Sequence, residues 1–295
     1  MRGRATAAIL VGATLLGFSA IFVKWAVVGG ATALTVGFYR MAVALPGAWL
    51  LARRAGSLGG ARGRAWALAA GAAFFLDLAL WHLAMHETSA ANATLLVGGL
   101  SPLWVALFAF FALGRRVGPL GWLGQLAGFA GALVLALARG AHGAVAAGAV
   151  GTGEAVAVGA SFAYAAFTLM MTRARATLAA PQALFWMSLA CLACFAVAAV
   201  AAGHPFTGYD ARAWASLVGL GLVVQLAAWW LNSWGLGHVE PTVSALALQM
   251  QQVATLFLAA WLLAEPLRPL GLVGGALLCG GIVLVSLDAR RGRAA

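Results

Sequence analysis

The chain is poor in charge: only 8% of its 295 residues are Asp, Glu, Lys or Arg, about a third of what a water-soluble domain carries. That deficit excludes a surface facing water on all sides and places the chain in lipid. Cysteine is equally scarce, and three thiols exclude a secreted disulfide scaffold. A hydrophobic content of 64% excludes a disordered chain. There are five histidines. His82 and His86 share the i, i+4 spacing of helix-borne metal ligands, but the others fall near different loops or helix ends and no HExxH occurs, so no metal is expected. Cys191 and Cys194 form a CxxC pair inside an apolar run with no partner cluster and read, like Cys279, as small apolar fillers. No P-loop is present, which speaks against ATP-driven transport by this chain alone, and no cofactor is implied.

What the chain does have is long apolar runs. A helix crossing the hydrocarbon core needs roughly 20 residues, and turn and charge signals cut the sequence into ten such segments. These are 6–28, 31–52, 64–84, 89–113 and 118–138, then 151–172, 181–202, 211–236, 241–263 and 269–287. A Gly- and Ala-rich linker, 139–150, separates two groups, so the chain divides into 1–138 and 151–295. The Met-Arg-Gly-Arg start followed by an apolar run imitates a signal peptide. It is read as the first span, because the run is too long for a typical signal core. Of the 18 basic residues, thirteen fall on the side of the N-terminus: Arg2, Arg4, Arg53, Arg54, Arg62, Arg64, Arg115, Arg116, Arg173, Arg175, Arg290, Arg291 and Arg293. The opposite side holds Arg139, Arg212 and Arg268, and two, Lys24 and Arg40, lie within spans. Short cytoplasmic loops collect positive charge, so both termini are predicted to be cytoplasmic. The net charge of +11 is thus mainly a topology signal. It is not a nucleic-acid patch, which would cluster on one soluble face.

The sequence also repeats. At an offset of 150, Pro119, Leu120, Gly121, Gly124 and Gly131 fall on Pro269, Leu270, Gly271, Gly274 and Gly281; one residue more brings Leu95, Leu107 and Ala109 onto Leu246, Leu258 and Ala260. Five spans per copy is an odd number, so the second copy enters the membrane from the opposite face. An all-α integral membrane protein of ten transmembrane helices in two inverted five-helix repeats is expected, a recurrent transporter plan with its site between the halves. The GxxxG pairs Gly124/Gly128 and Gly271/Gly275 predict close helix packing, with a homodimer seam as the alternative to a monomer.

Two stretches, LAMHETSAANATLLVGGLSPLWVALFAFF and LGHVEPTVSALALQMQQVATLFLAAWLLAEPL, together with the two five-span halves, resemble the EamA-type carriers of the drug/metabolite transporter superfamily. The finer likeness is to YddG-type exporters of aromatic and other amino acids. The resemblance implies a carrier, not an enzyme, in the cytoplasmic (inner) membrane. One departure concerns a Gly-Glu pair with which such halves often close the fourth span: the second half has Ala264-Glu265 and the first has Gly114-Arg115.

Polar and aromatic residues inside spans are costly unless they face protein or water, which makes them pathway candidates. Asp77, Trp81 and His82 cluster on the third span. Ser101, Trp104 and Phe108 share a face of the fourth, where Ser101-Pro102 loosens the helix. The repeat aligns Gly98, Ser101 and Trp104 with Gln249, Gln252 and Thr255. Gln225, Trp229 and Asn232 make an i, i+4, i+7 stripe on the eighth span, Ser161, Tyr164 and Thr168 another on the sixth, and Phe18, Phe22 and Trp25 an aromatic edge on the first. The predicted substrate site is a cavity of rings and neutral hydrogen-bonding groups, formed by Trp81, His82, Ser101, Trp104, Tyr164, Gln225, Trp229, Asn232, Gln249 and Gln252. Rings hold apolar side chains or an ammonium group, and amides hold either end of a zwitterion, so amino acids and related small metabolites fit. Phosphorylated sugars would call for clustered Arg or Lys. Lys24, Arg40 and Asp77, with Glu154, suggest an outward gate or a structural ion pair, and Asp77 or His82 a proton carrier. Export by alternating access follows, against an intramembrane enzyme, a lipid scramblase or a structural membrane subunit as alternatives.

Overall fold

In the bilayer interior every backbone polar group must find its partner within the protein, and an apolar chain with no closed barrel can satisfy that only as helices. The computed structural model describes residues 2–87, 90–113, 117–138, 151–262 and 268–291, and the described residues are helical apart from short turns. The linker 139–150, Arg115, Arg116, Gly114, Ala264 and Glu265 lie outside them. Ten helical segments follow the ten apolar runs. They are α1 (Arg2–Leu16 continued by Phe18–Val28), α2 (Ala33–Arg54), α3 (Ala61–Glu87), α4 (Ala90–Leu113), α5 (Pro119–Ala138) and α6 (Thr152–Arg175). Then come α7 (Ala180–Ala201), α8 (Ala211–Gly219, Leu220–Ala228 and Trp229–Leu236), α9 (Pro241–Leu248 and Met250–Leu262) and α10 (Pro269–Arg291). Eight are long and apolar enough to cross a membrane, and α4 and α5 contribute the shorter apolar stretches Leu96–Phe108 and Pro119–Val134.

The ends of the helices are set by local chemistry. Pro119, Pro241 and Pro269 open α5, α9 and α10, where a missing N–H costs nothing. Thr32 accepts from the Thr35 backbone N–H to cap α2, and Asp210 Oδ1 accepts from Ala213 N at 2.6 Å to cap α8. Glu154 closes the start of α6 by accepting from Gly151 N at 3.1 Å. Asp288, at the far end of α10, accepts from Gly118 N at 2.9 Å and so places an anion at the N-terminus of α5.

The pairing of helices obeys an exchange of the two halves. α2 packs on α7, α4 on α9 and α5 on α10, each against its own counterpart. α3 packs on α6 as α1 does on α8, α4 on α6 as α9 does on α1, and α3 on α7 as α8 does on α2. The crossing of α5 and α10 gives the direction: Gly118 neighbours Asp288, Gly124 neighbours Gly281 and Gly131 neighbours Gly274, so the two run antiparallel. Because Gly124 and Gly131 are the repeat equivalents of Gly274 and Gly281, these contacts exchange under the repeat, and the relation between the halves is an inverting two-fold. A Cβ on Gly131 would stand 2.6 Å from Leu278 N and 2.7 Å from Gly274 O, so only glycine permits this approach of backbones. The glycine flank of α5 is therefore occupied by α10 of the same chain.

Candidate functional site

Two clusters of buried polar groups lie within the bundle, and α6 contributes to both. The first is built by α4, α6 and α9. Gln249 Nε2 donates to Ser101 Oγ at 3.2 Å, and Gln252 Nε2 donates to Gln249 Oε1 at 2.7 Å. Gly98 lies against both amides; a Cβ there would sit 1.9 Å from Gln252 Nε2. Since Gly98 and Ser101 are equivalent to Gln249 and Gln252, the contacts Gly98–Gln252 and Ser101–Gln249 are one contact repeated by the two-fold. The sequence reading aligned these residues, and the structure brings them face to face. One turn along α4, Trp104 Nε1 donates to Ser161 Oγ at 2.9 Å and its ring meets Phe162 edge-on, 5.9 Å between centroids.

Helix breaks accompany this layer. α9 is interrupted at Gln249 and α1 at Gly17, and Thr255 Oγ1 donates to the Gly17 carbonyl at 3.2 Å. A Cβ on Gly17 would stand 2.7 Å from the Ala254 Cβ, so the glycine both loosens α1 and lets it close on α9.

The second place is built by α2, α3, α6, α7 and α8. Arg40, 7% exposed, donates from Nε to Gln225 Oε1 at 2.9 Å, and Gln225 Nε2 in turn donates to Ser188 Oγ at 3.2 Å. The guanidinium carbon lies 5.4 Å from the centre of the Phe74 ring. Asp77, 4% exposed, stands one turn further on α3; Arg40, Asp77, Tyr164 and Cys191 are electrostatic neighbours. Phe74, Phe167 and Trp229 close on one another with centroids 4.8, 5.3 and 5.0 Å apart. The result is an aromatic wall beside two buried opposite charges.

Several polar atoms of this centre are buried with no hydrogen-bond partner: Asp77 Oδ1, Tyr164 Oη and Trp229 Nε1. Buried groups of this kind cost roughly 1–3 kcal/mol each if left so, which makes this centre the candidate site.

The predicted site residues divide accordingly. Ser101, Trp104, Gln249 and Gln252 form the first place; Tyr164, Gln225 and Trp229 share the second with Arg40 and Asp77. Asn232, expected on one stripe with Gln225 and Trp229, instead lies against Gly12 of α1. Leu220–Ala228 is wound as a π-helix, whose wider turn rotates Gln225 relative to Trp229 and Asn232 on the α-helical turns that follow. Gln225 consequently faces α2 and α7, Trp229 faces α3 and α6, and Asn232 faces α1. Trp81 packs with Ala84, Val156 and Ala157 toward the start of α6. The side chain of His82 lies outside the described ones. Arg40 and Asp77, expected near an outward gate, are buried in the centre, whereas Lys24 is exposed on α1. Sequence reasoning missed Ser188, whose partner is 37 residues away, and Phe74 and Phe167, which look like ordinary lipid-facing rings. It also missed the buried Gln125, whose polarity inside a glycine-rich span was the available signal.

The two ends of the bundle are latched by equivalent pairs. Arg212 of α8 lies over Trp25 of α1 at 4.7 Å, and Arg173 of α6 lies over Trp66 of α3 at 4.9 Å. The helix pairs exchange under the two-fold, and the arginine and tryptophan exchange roles. At one end Tyr39 Oη donates to the Phe206 carbonyl at 2.6 Å within a cluster of Phe38, Tyr209 and Trp214. At the other, Trp186 Nε1 donates to the Leu58 carbonyl at 2.9 Å, Gln182 Nε2 to the Ser57 carbonyl and Arg175 to the Leu178 carbonyl.

Apolar helices in two inverted halves around a buried polar and aromatic centre define a multi-pass membrane transporter. Comparison with known families says which: the model of the EamA-like transporter family matches residues 4–137 and again 151–287, and the chain belongs to that family, within the drug/metabolite transporter superfamily. A solved structure titled "Crystal structure of protein" shares the fold at a TM-score of 0.80, with 22% identity over 99% of each chain. No curated protein matches the sequence.

Proposed function

We propose that this protein is a secondary transporter that exports amino acids and related small metabolites across the cytoplasmic membrane by alternating access. The observation that carries the reading is the centre built by α2, α3, α6, α7 and α8. It combines an aromatic wall, Phe74, Phe167 and Trp229, with fixed charges and unpartnered hydrogen-bonding groups. An apolar side chain fits the wall and a polar head fits the unpartnered groups. A phosphorylated solute fits poorly, because Arg40 is the one cation among the named groups of this centre. Alternating access is supported by the inverting two-fold, by the breaks at Gly17 and Gln249 and by latches of similar chemistry at both ends. The basic-residue bias supports cytoplasmic termini in the inner membrane. The finer likeness to YddG-type exporters agrees with an amino-acid substrate.

The test is flux into proteoliposomes containing only this protein, with a panel of labelled amino acids, with and without a pH gradient. Saturable uptake of at least one of them is expected. No flux of any amino acid removes the substrate assignment, and flux indifferent to the gradient removes proton coupling.

A further inference from the structure

Two opposite charges buried in a membrane protein normally pair directly, because each is expensive alone. Arg40 and Asp77 do not: Arg40 gives its Nε–H to Gln225, and Asp77 Oδ1 has no hydrogen-bond partner. Gln225 is itself anchored by Ser188, so the guanidinium is held in position from behind. Its forked end has no hydrogen-bonded partner among the described residues, and that end is the part of an arginine that matches a carboxylate. Tyr164 Oη and Trp229 Nε1, both buried, are likewise unpartnered. Phe74, one turn from Asp77 on α3, touches Arg40, Phe167 and Trp229, so the charges and the aromatic wall adjoin.

We infer that Arg40 and Asp77 are the two ends of a clamp for a zwitterionic α-amino acid, in which Arg40 binds the carboxylate, Asp77 the ammonium group and the Phe74–Phe167–Trp229 wall the side chain. In the clamp the ligand's head takes the place of the direct ion pair that the two charges do not make. A zwitterion of opposite polarity completes both charges at once, whereas a simple amine completes only Asp77 and a simple acid only Arg40. The inference rests on the amino-acid reading above and sharpens it, by making both charged groups of the substrate obligatory.

Competition in the same proteoliposomes tests it, with tritiated phenylalanine as the carried probe, or tritiated leucine where that is carried faster. The competitors are the unlabelled amino acid and two analogues with a single charge: phenethylamine and phenylpropanoate, or isoamylamine and isocaproate. In the wild type both analogues are expected to compete at least about tenfold more weakly than the amino acid. Arg40→Gln should narrow the deficit of the amine, and Asp77→Asn that of the acid. Should those variants misfold, as judged by gel filtration and thermal melting, Arg40→Lys and Asp77→Glu preserve the charges and should keep the wild-type ranking, which itself needs no variant. Amino-acid flux with single-charge analogues competing as well as the zwitterion, or with rankings unmoved in folded Arg40→Gln and Asp77→Asn variants, overturns the clamp and leaves the transporter reading standing. Absence of amino-acid flux removes that reading first.

Discussion

Arg40 sets the energetics at the scale of single residues. A guanidinium inside a membrane bundle is costly unless other groups hold it, and the hydrogen-bond and ring contacts of Arg40 among the described residues are few: Gln225, backed by Ser188, and the face of Phe74. Hydrogen bonds to charged groups contribute about 1.5–3 kcal/mol. Gln225→Leu is therefore expected to lower stability by about 2 kcal/mol in an SDS-unfolding titration, while Ser188→Ala, which removes only the outer bond of the chain, loses about 1 kcal/mol or less. Equal losses in the two variants would mean that Gln225 is held by packing and not by Arg40. The same residues show what sequence leaves out. Arg40 reads as a charge in the outer half of a span because position along a helix is legible, but the partner that buries it comes from a helix 185 residues away.

Periodicity and glycine, at the scale of elements, carried most of the information. The ten apolar runs correspond to α1 to α10 because a span must be long, apolar and bounded, and sequence records all three. The repeat also survives in detail: Gly124 and Gly131 meet Gly281 and Gly274 across the α5–α10 crossing. Gly131→Ala should force these backbones apart and reduce stability by about 1–3 kcal/mol. Gly280→Ala is the matched control, since a Cβ there meets nothing within 4 Å; similar unfolding midpoints for the two variants would contradict the packing account. What periodicity could not supply is the winding inside a span. The π-helix of α8 rotates Gln225 relative to Trp229 and Asn232, so a stripe drawn at 3.6 residues per turn joins side chains that face different neighbours. Similarly, Gln249 and Gln252 were legible as costly groups on α9, and their counterpart Gly98 as an alignment, but their meeting across the two-fold belongs to tertiary structure.

Low charge and an excess of arginine, at the scale of the whole molecule, now have separate meanings. Most arginines lie outside the spans and bear on orientation. A C-terminal fluorescent fusion is expected to be bright and a C-terminal alkaline phosphatase fusion inactive, as a cytoplasmic C-terminus requires; an active phosphatase would reverse the orientation. The candidate centre adds two charged groups to the rings and neutral polar groups expected from composition: Arg40 and Asp77 are both more than nine-tenths buried there. In this conformation Ser101, Gln225, Trp229, Asn232 and Gln249 are all at most 2% exposed. For the proposed carrier, binding from either side then requires the bundle to open, at one end where Arg212 lies over Trp25 and at the other where Arg173 lies over Trp66. The most direct measurement of this central claim is counterflow. Proteoliposomes are preloaded with unlabelled amino acid, diluted into a trace of the same labelled amino acid, and followed in time. A carrier that exposes one site alternately predicts a transient accumulation of label above equilibrium, abolished when the lumen is empty. Label that only rises to equilibrium, at the same rate with or without preloading, would contradict it.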